Sequence, residues 1–473
     1  MRWIVVLALV VTAPLAWASP QEQGPAWDGF DEAMEASDAE SAIEEAERLI
    51  ERDPRDPFAR FALVRAHATG DDTERATEAL RSALSQGFVD FHRLYRDPTL
   101  AAVANADIGV WLRKNWRTRQ DQRSQAEAEA LLGALGGRYR VVVDEALRVR
   151  LLTQLDEEEL AIAREEIGRV ARFASGLFSE ADDARPDPWV LVLIPSAEDA
   201  DRMLPQRNAD GVYDHGRKAL VLRDIGPALR HEFFHALHWR HMERSGRFHP
   251  IWIREGLATL VEDVDLQRED LVVRASWRTN IARRLARVGR LRPWDDFAAQ
   301  TADRFTRTRP VINYAQSRAF MHWLYERSDL GTWFEAYDAG SHREPAGLAS
   351  VEEVTGLVER DWQRELRSWL LEQPEVAVPG GRNPVGFGVA LREGDGGVPI
   401  VDRSGLTSVD GVRLRMRDTV TAIEGTPVRT LNELYRELTG RDEGDTVRVT
   451  LDRRGETIEV TLRLVRDDTL GLR

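Results

Sequence analysis

The sequence predicts a multidomain protein with an α-helical first part, an α+β middle part and a mainly-β last part. The chain has 473 residues, more than one domain of the usual size, about 100 to 200 residues, would need. Apolar residues recur at helical spacing at first, strand and helix patterns alternate after Gly133, and short strand patterns follow a Pro/Gly-rich linker at 374–383. These observations divide the chain into 24–125, 135–373 and 384–466.

The composition limits the class of protein. Hydrophobic residues make up 42% of the chain and 14 residues are Trp, which is enough for packed cores. The formal net charge of -15 argues against nucleic acid as the main partner, because phosphate binding needs basic surface. The chain has no Cys, so a transition-metal site must use His and carboxylate ligands.

Residues 1–18 have the pattern of an export signal peptide. Arg2 precedes an apolar run, and Ala16-Trp17-Ala18 fits the A-x-A cleavage pattern. We therefore expect an exported protein, periplasmic or secreted. An uncleaved amino-terminal membrane anchor is the alternative, although the apolar run is short for a membrane span.

The first part is predicted to contain short helices in pairs. Three helices are predicted at Ala39–Arg52, Phe58–Ala68 and Thr73–Ser85. The stretch from Pro54 to Gly87 resembles one tetratricopeptide (TPR) repeat unit. The residues that carry this resemblance are Leu63, Ala66, Gly70, Ala76, Leu80 and Ala83. It implies a TPR-like helical domain at 24–125 with a surface for a protein partner; packing of these helices against the next domain is the alternative.

The middle part alternates strands and helices and is mostly helical after Asp265. Strands are predicted at Arg138–Val143, Leu147–Leu152, Trp189–Ile194, Val212–Tyr213 and Ala219–Leu222. A long helix is predicted at Asp156–Phe178. Another helix begins at Pro227, because proline is favoured in the first helical turn.

The clearest functional motif is H-E-x-x-H at residues 231–235, on the helix that begins at Pro227. His231 and His235 lie about 40° apart around the helix and about 6 Å apart along it, so both imidazoles can reach one metal ion. Glu232 leaves the helix at an adjacent angle and can act on a water molecule without binding the metal. The motif predicts metal-assisted hydrolysis with Glu232 as general base. Two core or solvated histidines are the alternative.

A second motif lies downstream of the first. Residues 252–258 have the pattern W-x-x-E-G-x-A and open a further helix. Together the two motifs resemble the gluzincin zinc metallopeptidases, peptidase MA-like and of the M1/M61 type. The resemblance implies an α+β zincin (thermolysin-like) domain at 135–373 that holds one Zn2+, with Glu255 as third ligand beside His231 and His235. The implied activity is hydrolysis of peptide bonds in a peptide or protein substrate.

Three more side chains are candidates near this site. His241 is a rival third ligand, but the metzincin extension needs a helix-breaking Gly where this chain has His238. His238 itself is interpreted as a packed or supporting histidine. Tyr314 resembles the tyrosine that M1-type enzymes place after the third ligand to stabilise an oxyanion. A helix-packing role for Tyr314 is an equal alternative.

The sequence also bears on the substrate. Residues 210–213 predict an edge strand that can pair with an extended peptide. M1-type aminopeptidases carry a G-x-M-E-N segment before the zinc motif, and this sequence has none. An endopeptidase or a peptidase of narrow specificity is therefore favoured, with an aminopeptidase as an alternative.

The last part resembles a PDZ domain of the bacterial protease-associated kind, at 384–466. Residues 418–428 match the run G-D-x-I-x-x-I-N-G-x-P-V, with Arg417 where its first Gly is usual. Gly386-Phe387-Gly388-Val389 occupies the place of the loop whose backbone N–H groups hold a peptide carboxylate. The resemblance implies binding of a C-terminal peptide by strand addition.

Together these patterns predict an exported zinc peptidase whose PDZ and TPR-like modules position substrates or partners. A noncatalytic scaffold, in which the modules bind partner proteins and the zinc fold is structural, is the alternative. The presence of Glu232 favours the enzyme, because a scaffold would have no need of a general base.

Overall fold

A computed structural model describes most of the chain. The described residues are 27–178, 186–204, 211–265, 268, 270–377, 385–392, 394, 396–400 and 407–466. The predicted export signal at 1–18 and most of the predicted linker at 374–383 lie outside these ranges. Every helix within them is too short or too polar to cross a bilayer.

The first unit is a packed group of helices. Its helices are Asp28–Glu35 (α1), Ala39–Arg52 (α2), Pro57–Thr69 (α3), Thr73–Ser85 (α4), Phe91–Arg96 (α5), Ala101–Asn105 (α6) and Asp107–Ala134 (α7), with a 3-10 turn at Pro98–Leu100. Asp38, Asp56 and Asp72 begin α2, α3 and α4 by accepting a hydrogen bond from a backbone N–H of the first turn. The three helices predicted here are confirmed, and the TPR-like assignment stays a prediction.

The helix α7 belongs to two cores. Near its start, Leu112 and Trp116 lie in the core of the first unit. Near its end, Ala128 and Leu131 pack against one face of the sheet that follows. The predicted division between 125 and 135 therefore falls inside one continuous helix.

The middle unit is built on a five-stranded sheet. Its first elements are Arg140–Asp144 (β1), Val149–Thr153 (β2), Glu157–Ser175 (α8), Val190–Ile194 (β3), Ala197–Met203 (α9), Gly211–Asp214 (β4) and Ala219–Leu222 (β5). The strand order is β1-β2-β3-β5-β4. The three central strands are parallel, and β1 and β4 pair antiparallel at the two edges. All five predicted strands are present.

Helices make up most of the rest of the middle unit. They are Pro227–Ser245 (α10), Ile251–Leu260 (α11), Trp277–Arg287 (α12), Trp294–Ala298 (α13), Ala302–Arg307 (α14), Pro310–Glu326 (α15), Leu330–Gly340 (α16), Ala349–Thr355 (α17) and Glu359–Glu372 (α18). The helices α8 and α10 share a core with one face of the sheet, while α7 and α9 cover the other face. This layering places α10 under the sheet, with its first turns near β4 and β5.

The last unit has a core of its own. Its elements are Val385–Gly386 (β6), Val398–Pro399 (β7), Thr419–Ile423 (β8), Thr426–Pro427 (β9), Leu431–Leu438 (α19), Thr446–Arg453 (β10), Glu456–Arg463 (β11) and Val465–Arg466 (β12). The sheet order is β11-β10-β8-β7, β9 pairs with β8, and β6 pairs with β12. Leu434 of α19 packs into this core with Val449 and Leu451 of β10. The predicted mainly-β last part with one helix is confirmed.

Candidate metal centre

Two histidines and a glutamate converge between α10 and α11. His231 and His235 lie one turn apart on α10, and their Nε2 atoms are 3.0 Å apart. Glu255 of α11 places its Oε2 atom 3.4 Å from each of those nitrogens. We call these three atoms the ligand triangle. Its sides are close to about 3.3 Å, the separation of two ligands in a tetrahedral zinc site with bonds of about 2.0 to 2.1 Å.

The donor set fits a divalent metal ion. The Oε2 atom of Glu255 is buried and has no hydrogen-bond partner among the described residues, and a buried carboxylate oxygen without a partner is costly. Burial raises the pKa of Glu255, but the imidazoles of His235 and His231 more than offset this effect and hold it well below its ordinary value. An ionised carboxylate facing two imidazole nitrogens is the ligand chemistry that zinc prefers.

A second glutamate orients one of the histidines. Oε1 of Glu262 lies 2.8 Å from Nδ1 of His231, so Nδ1 donates to the carboxylate and the Nε2 lone pair faces the ligand triangle. Burial raises the pKa of Glu262, but Arg278 and His231 more than offset this effect and lower it to about 2. The sequence analysis missed Glu262. Glu262 lies two residues beyond the end of α11, so helical spacing from Glu255 does not predict that its side chain reaches His231.

The general-base candidate Glu232 lies beside an edge strand. Burial raises the pKa of its carboxyl group, and His231 and His235 reverse only part of the rise. Gly211 is the first residue of β4, and a Cβ atom there would lie 2.9 Å from Cγ of Glu232. The absence of a side chain at Gly211 therefore lets β4 pass directly beside Glu232. The predicted edge strand at 210–213 lies along the candidate site over its described residues.

Tyr314 faces the same site from the second turn of α15. Its ring packs against Phe305, with 5.2 Å between the ring centroids. Burial raises the pKa of the Tyr314 hydroxyl well above its ordinary value, and the carboxylates of Glu255 and Glu232 add to the rise. The hydroxyl therefore stays protonated at neutral pH and can donate a hydrogen bond.

The other histidines of α10 belong to a separate buried cluster. Nε2 of His241 and Nε2 of His249 lie 3.1 Å and 3.0 Å from Oδ1 of Asp338, and Arg247 lies 2.7 Å from Oδ2. Nε2 of His238 lies 2.8 Å from Nδ1 of His249. Both oxygens of Asp338 therefore have partners within the protein. The structure places His241, the rival third ligand, in this network and away from the ligand triangle.

The loop residues predicted to hold a peptide carboxylate lie at the start of the last unit. Gly386 ends β6, which pairs with β12. The Phe387 side chain is buried in the core, and Val389 packs partly against it. Gly388 has a φ of 71°, and a Cβ atom there would lie 3.0 Å from Val465. A ligand at Gly386–Gly388 can therefore contact the backbone but not a side chain of this segment.

Comparison with known proteins identifies the last unit. Residues 385–464 match the family model of the PDZ domain, so the predicted PDZ domain is confirmed. No curated protein matches the chain. Among solved structures, an aminopeptidase N family protein from Idiomarina loihiensis is similar, with 13% identity, a TM-score of 0.30 and coverage of 69% of this chain and 67% of that chain. A structural similarity this weak does not indicate the fold or the function of the middle unit.

Proposed function

We propose that this chain is a zinc-dependent peptidase of the gluzincin kind. The observation that carries the proposal is the ligand triangle, in which Glu255 offers a buried, unpartnered oxygen to His231 and His235. Glu232 and Tyr314 lie around this site, and they supply the two further groups that amide hydrolysis needs.

In this proposal the three ligands hold one Zn2+. His231 and His235 would bind it through Nε2 and Glu255 through Oε2, and three protein ligands are the number typical of catalytic zinc. The bound ion would polarise the scissile carbonyl and lower the pKa of a water molecule. Glu262 holds His231 in the tautomer that can bind the ion.

Glu232 is the group that would transfer a proton during hydrolysis. Its raised pKa suits a carboxylate that takes a proton from the attacking water and gives it to the leaving amine. Tyr314 is a neutral hydroxyl close enough to Glu255 and Glu232 for both carboxylates to raise its pKa. It would donate a hydrogen bond to the oxyanion that forms on the scissile carbonyl.

The substrate of this proposal is an extended segment of a peptide or protein. The edge strand β4 passes beside Glu232, and strand addition there would align the scissile bond with the ligand triangle. The lack of a G-x-M-E-N segment favours an endopeptidase over an aminopeptidase.

The flanking modules would bring partners to this site. PDZ domains bind peptides by strand addition, so a C-terminal peptide is the ligand we propose for the loop at 386–389. The TPR-like helices at 24–125 would hold a protein partner. The export pattern at 1–18 supports a periplasmic or secreted location for this activity.

The test compares the full chain with its Glu232→Gln variant. Zinc content is measured by mass spectrometry, and hydrolysis is measured on an unstructured protein and on peptides with free or blocked amino termini. We expect near-stoichiometric zinc in both proteins and hydrolysis by the wild type alone, because Gln keeps the shape of Glu232 but cannot accept the proton.

Each other result points to a different function. Zinc in both proteins without hydrolysis by either would favour the noncatalytic scaffold. Cleavage of free but not blocked peptides would favour an aminopeptidase. A wild-type chain that binds no zinc would contradict the metal site itself.

A further inference from the structure

The PDZ domain is docked on the middle unit through a row of arginines. Four of them, which we call the arginine row, pair with acidic residues of α8, of its N-cap or of the segment after α11. The pairs are Arg392 with Asp263, Arg413 with Glu159, Arg415 with Asp156 and Glu158, and Arg417 with Glu165 and Glu166. One face of the PDZ domain is therefore complementary in charge to one face of the middle unit.

An apolar side chain anchors the same contact. Met416 stands between Arg415 and Arg417, is 3% exposed, and belongs to the core cluster of the middle unit. Burial of Met416 adds a hydrophobic contribution that isolated surface ion pairs lack. The contact is a packed interface rather than a set of exposed charges.

Arg417 adopts a backbone conformation that normally belongs to glycine. Its φ is 73°, in the left-handed region where a side chain costs free energy. The PDZ pattern has Gly at this position, and the observed φ gives the physical reason. The ion pairs of its guanidinium with Glu165 and Glu166 of α8 can offset this cost.

A series of ion pairs and hydrogen bonds connects Arg417 to the candidate metal centre. Its guanidinium lies 3.3 Å from Oε1 of Glu166, a fully buried carboxylate. The other oxygen of Glu166 lies 2.7 Å from Arg230, the residue before His231. Arg230 also donates to the carbonyl oxygens of Val261 and Glu262, at 2.8 Å and 2.7 Å.

Arg392 contacts the segment 261–263 directly. Arg392 pairs with Asp263, the residue after Glu262. Asp263 also lies 3.8 Å from Arg318 of α15, one turn along the helix from Tyr314. The segment 261–263, which carries the carboxylate that orients His231, is thus contacted by Arg392 directly and by Arg417 through Glu166 and Arg230.

We propose that Arg417 and Arg392 are positioning residues of the metal centre, so that the docked PDZ domain completes the support of His231. The inference rests on the proposed zinc site. Loss of either arginine would loosen the segment 261–263 and, through Glu262, the orientation of the His231 imidazole. Outer partners of a zinc ligand raise metal affinity by fixing its geometry, so zinc affinity reports the effect directly.

The experiment measures zinc affinity of the full-length chain by competition with a chromogenic chelator. The variants are Arg417→Gly, Arg392→Ala and the double variant. Arg417→Gly is the informative one, because it removes the guanidinium and relieves the backbone strain, so the PDZ domain keeps its fold. Arg454→Ala is the matched control, since Arg454 pairs with Glu158 at the same interface, is 73% exposed, and contacts neither Glu166 nor Asp263 in any ion pair among the described residues.

We expect each single variant to bind zinc about 3- to 10-fold more weakly, which is less than the 10- to 100-fold typical of residues that touch a ligand. The double variant should lose more, Arg417→Lys should recover part of the affinity, and Arg454→Ala should stay within about twofold of the wild type. Thermal unfolding of each variant checks that the fold is intact.

The outcomes separate this inference from the proposed function. A wild type without zinc contradicts the peptidase itself. A wild type that binds zinc, with Arg417→Gly and Arg392→Ala binding equally tightly, overturns the positioning role and leaves the zinc site standing. An equal loss in Arg454→Ala also overturns it, because the effect would then follow from docking in general.

Discussion

The carboxylate of Glu262 lies 2.8 Å from Nδ1 of His231, the ring nitrogen that does not face the ligand triangle. Arg278 neutralises the same carboxylate. With its pKa lowered to about 2, Glu262 is charged at every pH at which the protein is expected to work. The pair is therefore an ionic hydrogen bond that fixes both the tautomer and the direction of the imidazole.

Replacement of this carboxylate tests its role. We expect Glu262→Gln to weaken zinc binding by about 10- to 100-fold, because the amide keeps the shape but removes the charge that holds the His231 tautomer. Chelator competition measures the affinity. Glu326→Gln is the control, since Glu326 lies 3.2 Å from His322 in a similar pair away from the site. Equal affinity in the Glu262 variant and the wild type would show that His231 needs no such partner.

Two of the candidate ligands could be predicted from helix geometry, and the third from the resemblance of its motif to that of a known family. His231 and His235 are one turn apart, and Glu255 stands in a motif of its own. Their partners depend on how separate elements meet. Arg230 and Glu166 are brought together across 64 residues, and no periodic pattern predicts which buried arginine will meet which glutamate.

The individual helices and strands could be predicted from the sequence better than the boundaries between the units. The strand Ala219–Leu222 was predicted to the residue, since a short apolar run with branched side chains favours a strand. The continuity of α7 could not be predicted. Its start and its end face two different cores, so no single apolar stripe follows the helix.

Tyr314 offers a test of the proposed oxyanion contact. We expect Tyr314→Phe to lower kcat about 100-fold with little change in zinc affinity, because the hydroxyl would act on the transition state. Hydrolysis rates and chelator competition measure the two effects. Tyr337→Phe is the control, since Tyr337 is buried and stacked on Trp333. A loss of zinc affinity with unchanged kcat in the zinc-loaded enzyme would instead make Tyr314 a support for Glu255.

A buried ion pair joins the first unit to the middle unit. Nζ of Lys218 lies 2.7 Å from Oδ2 of Asp90, His215 lies 3.4 Å from the same oxygen, and Arg93 pairs with Glu243 next to it. Burial raises the pKa of Asp90, but Lys218 and His215 more than offset this effect, so its pKa lies well below the ordinary value of 3.8. This carboxylate therefore stabilises the fold fully above about pH 4, and the contribution is lost as the pH falls towards the folded-state pKa.

Asp90→Asn removes that contribution. We expect a loss of about 3 to 5 kcal/mol at pH 7, because Lys218 is left buried without a charged partner. The difference from the wild type should shrink below about pH 4, because the unfolded wild type then takes up a proton at Asp90 while the folded protein keeps this carboxylate ionised. Urea unfolding at pH 7 and pH 3 measures both. Asp72→Asn is the control, because its pair with Arg75 is exposed and Asn caps a helix as well as Asp. A difference that is the same at both pH values would contradict the depressed pKa.

Gly256 sets the distance between the helix that carries Glu255 and the helix that carries Tyr314. In most helices a change from Gly to Ala stabilises the fold by about 0.5 to 1 kcal/mol. A Cβ atom at Gly256 would lie 2.6 Å from Oγ of Ser317 and 3.0 Å from Cγ of Met321. The Ser317 hydroxyl is held by its hydrogen bond to the Trp252 carbonyl, so α11 and α15 must move apart.

We therefore expect Gly256→Ala to lower the free energy of unfolding by about 1 to 3 kcal/mol instead of raising it, as overpacking does in other cores. Zinc affinity should fall with it, because Glu255 is the preceding residue and moves with α11. Gly133→Ala is the matched control, since Gly133 lies in α7 and a Cβ atom there would have nothing within 4 Å. That variant should gain stability and keep its zinc affinity. If thermal unfolding and chelator competition gave the same result for both variants, the close approach of α11 and α15 would not be what positions Glu255.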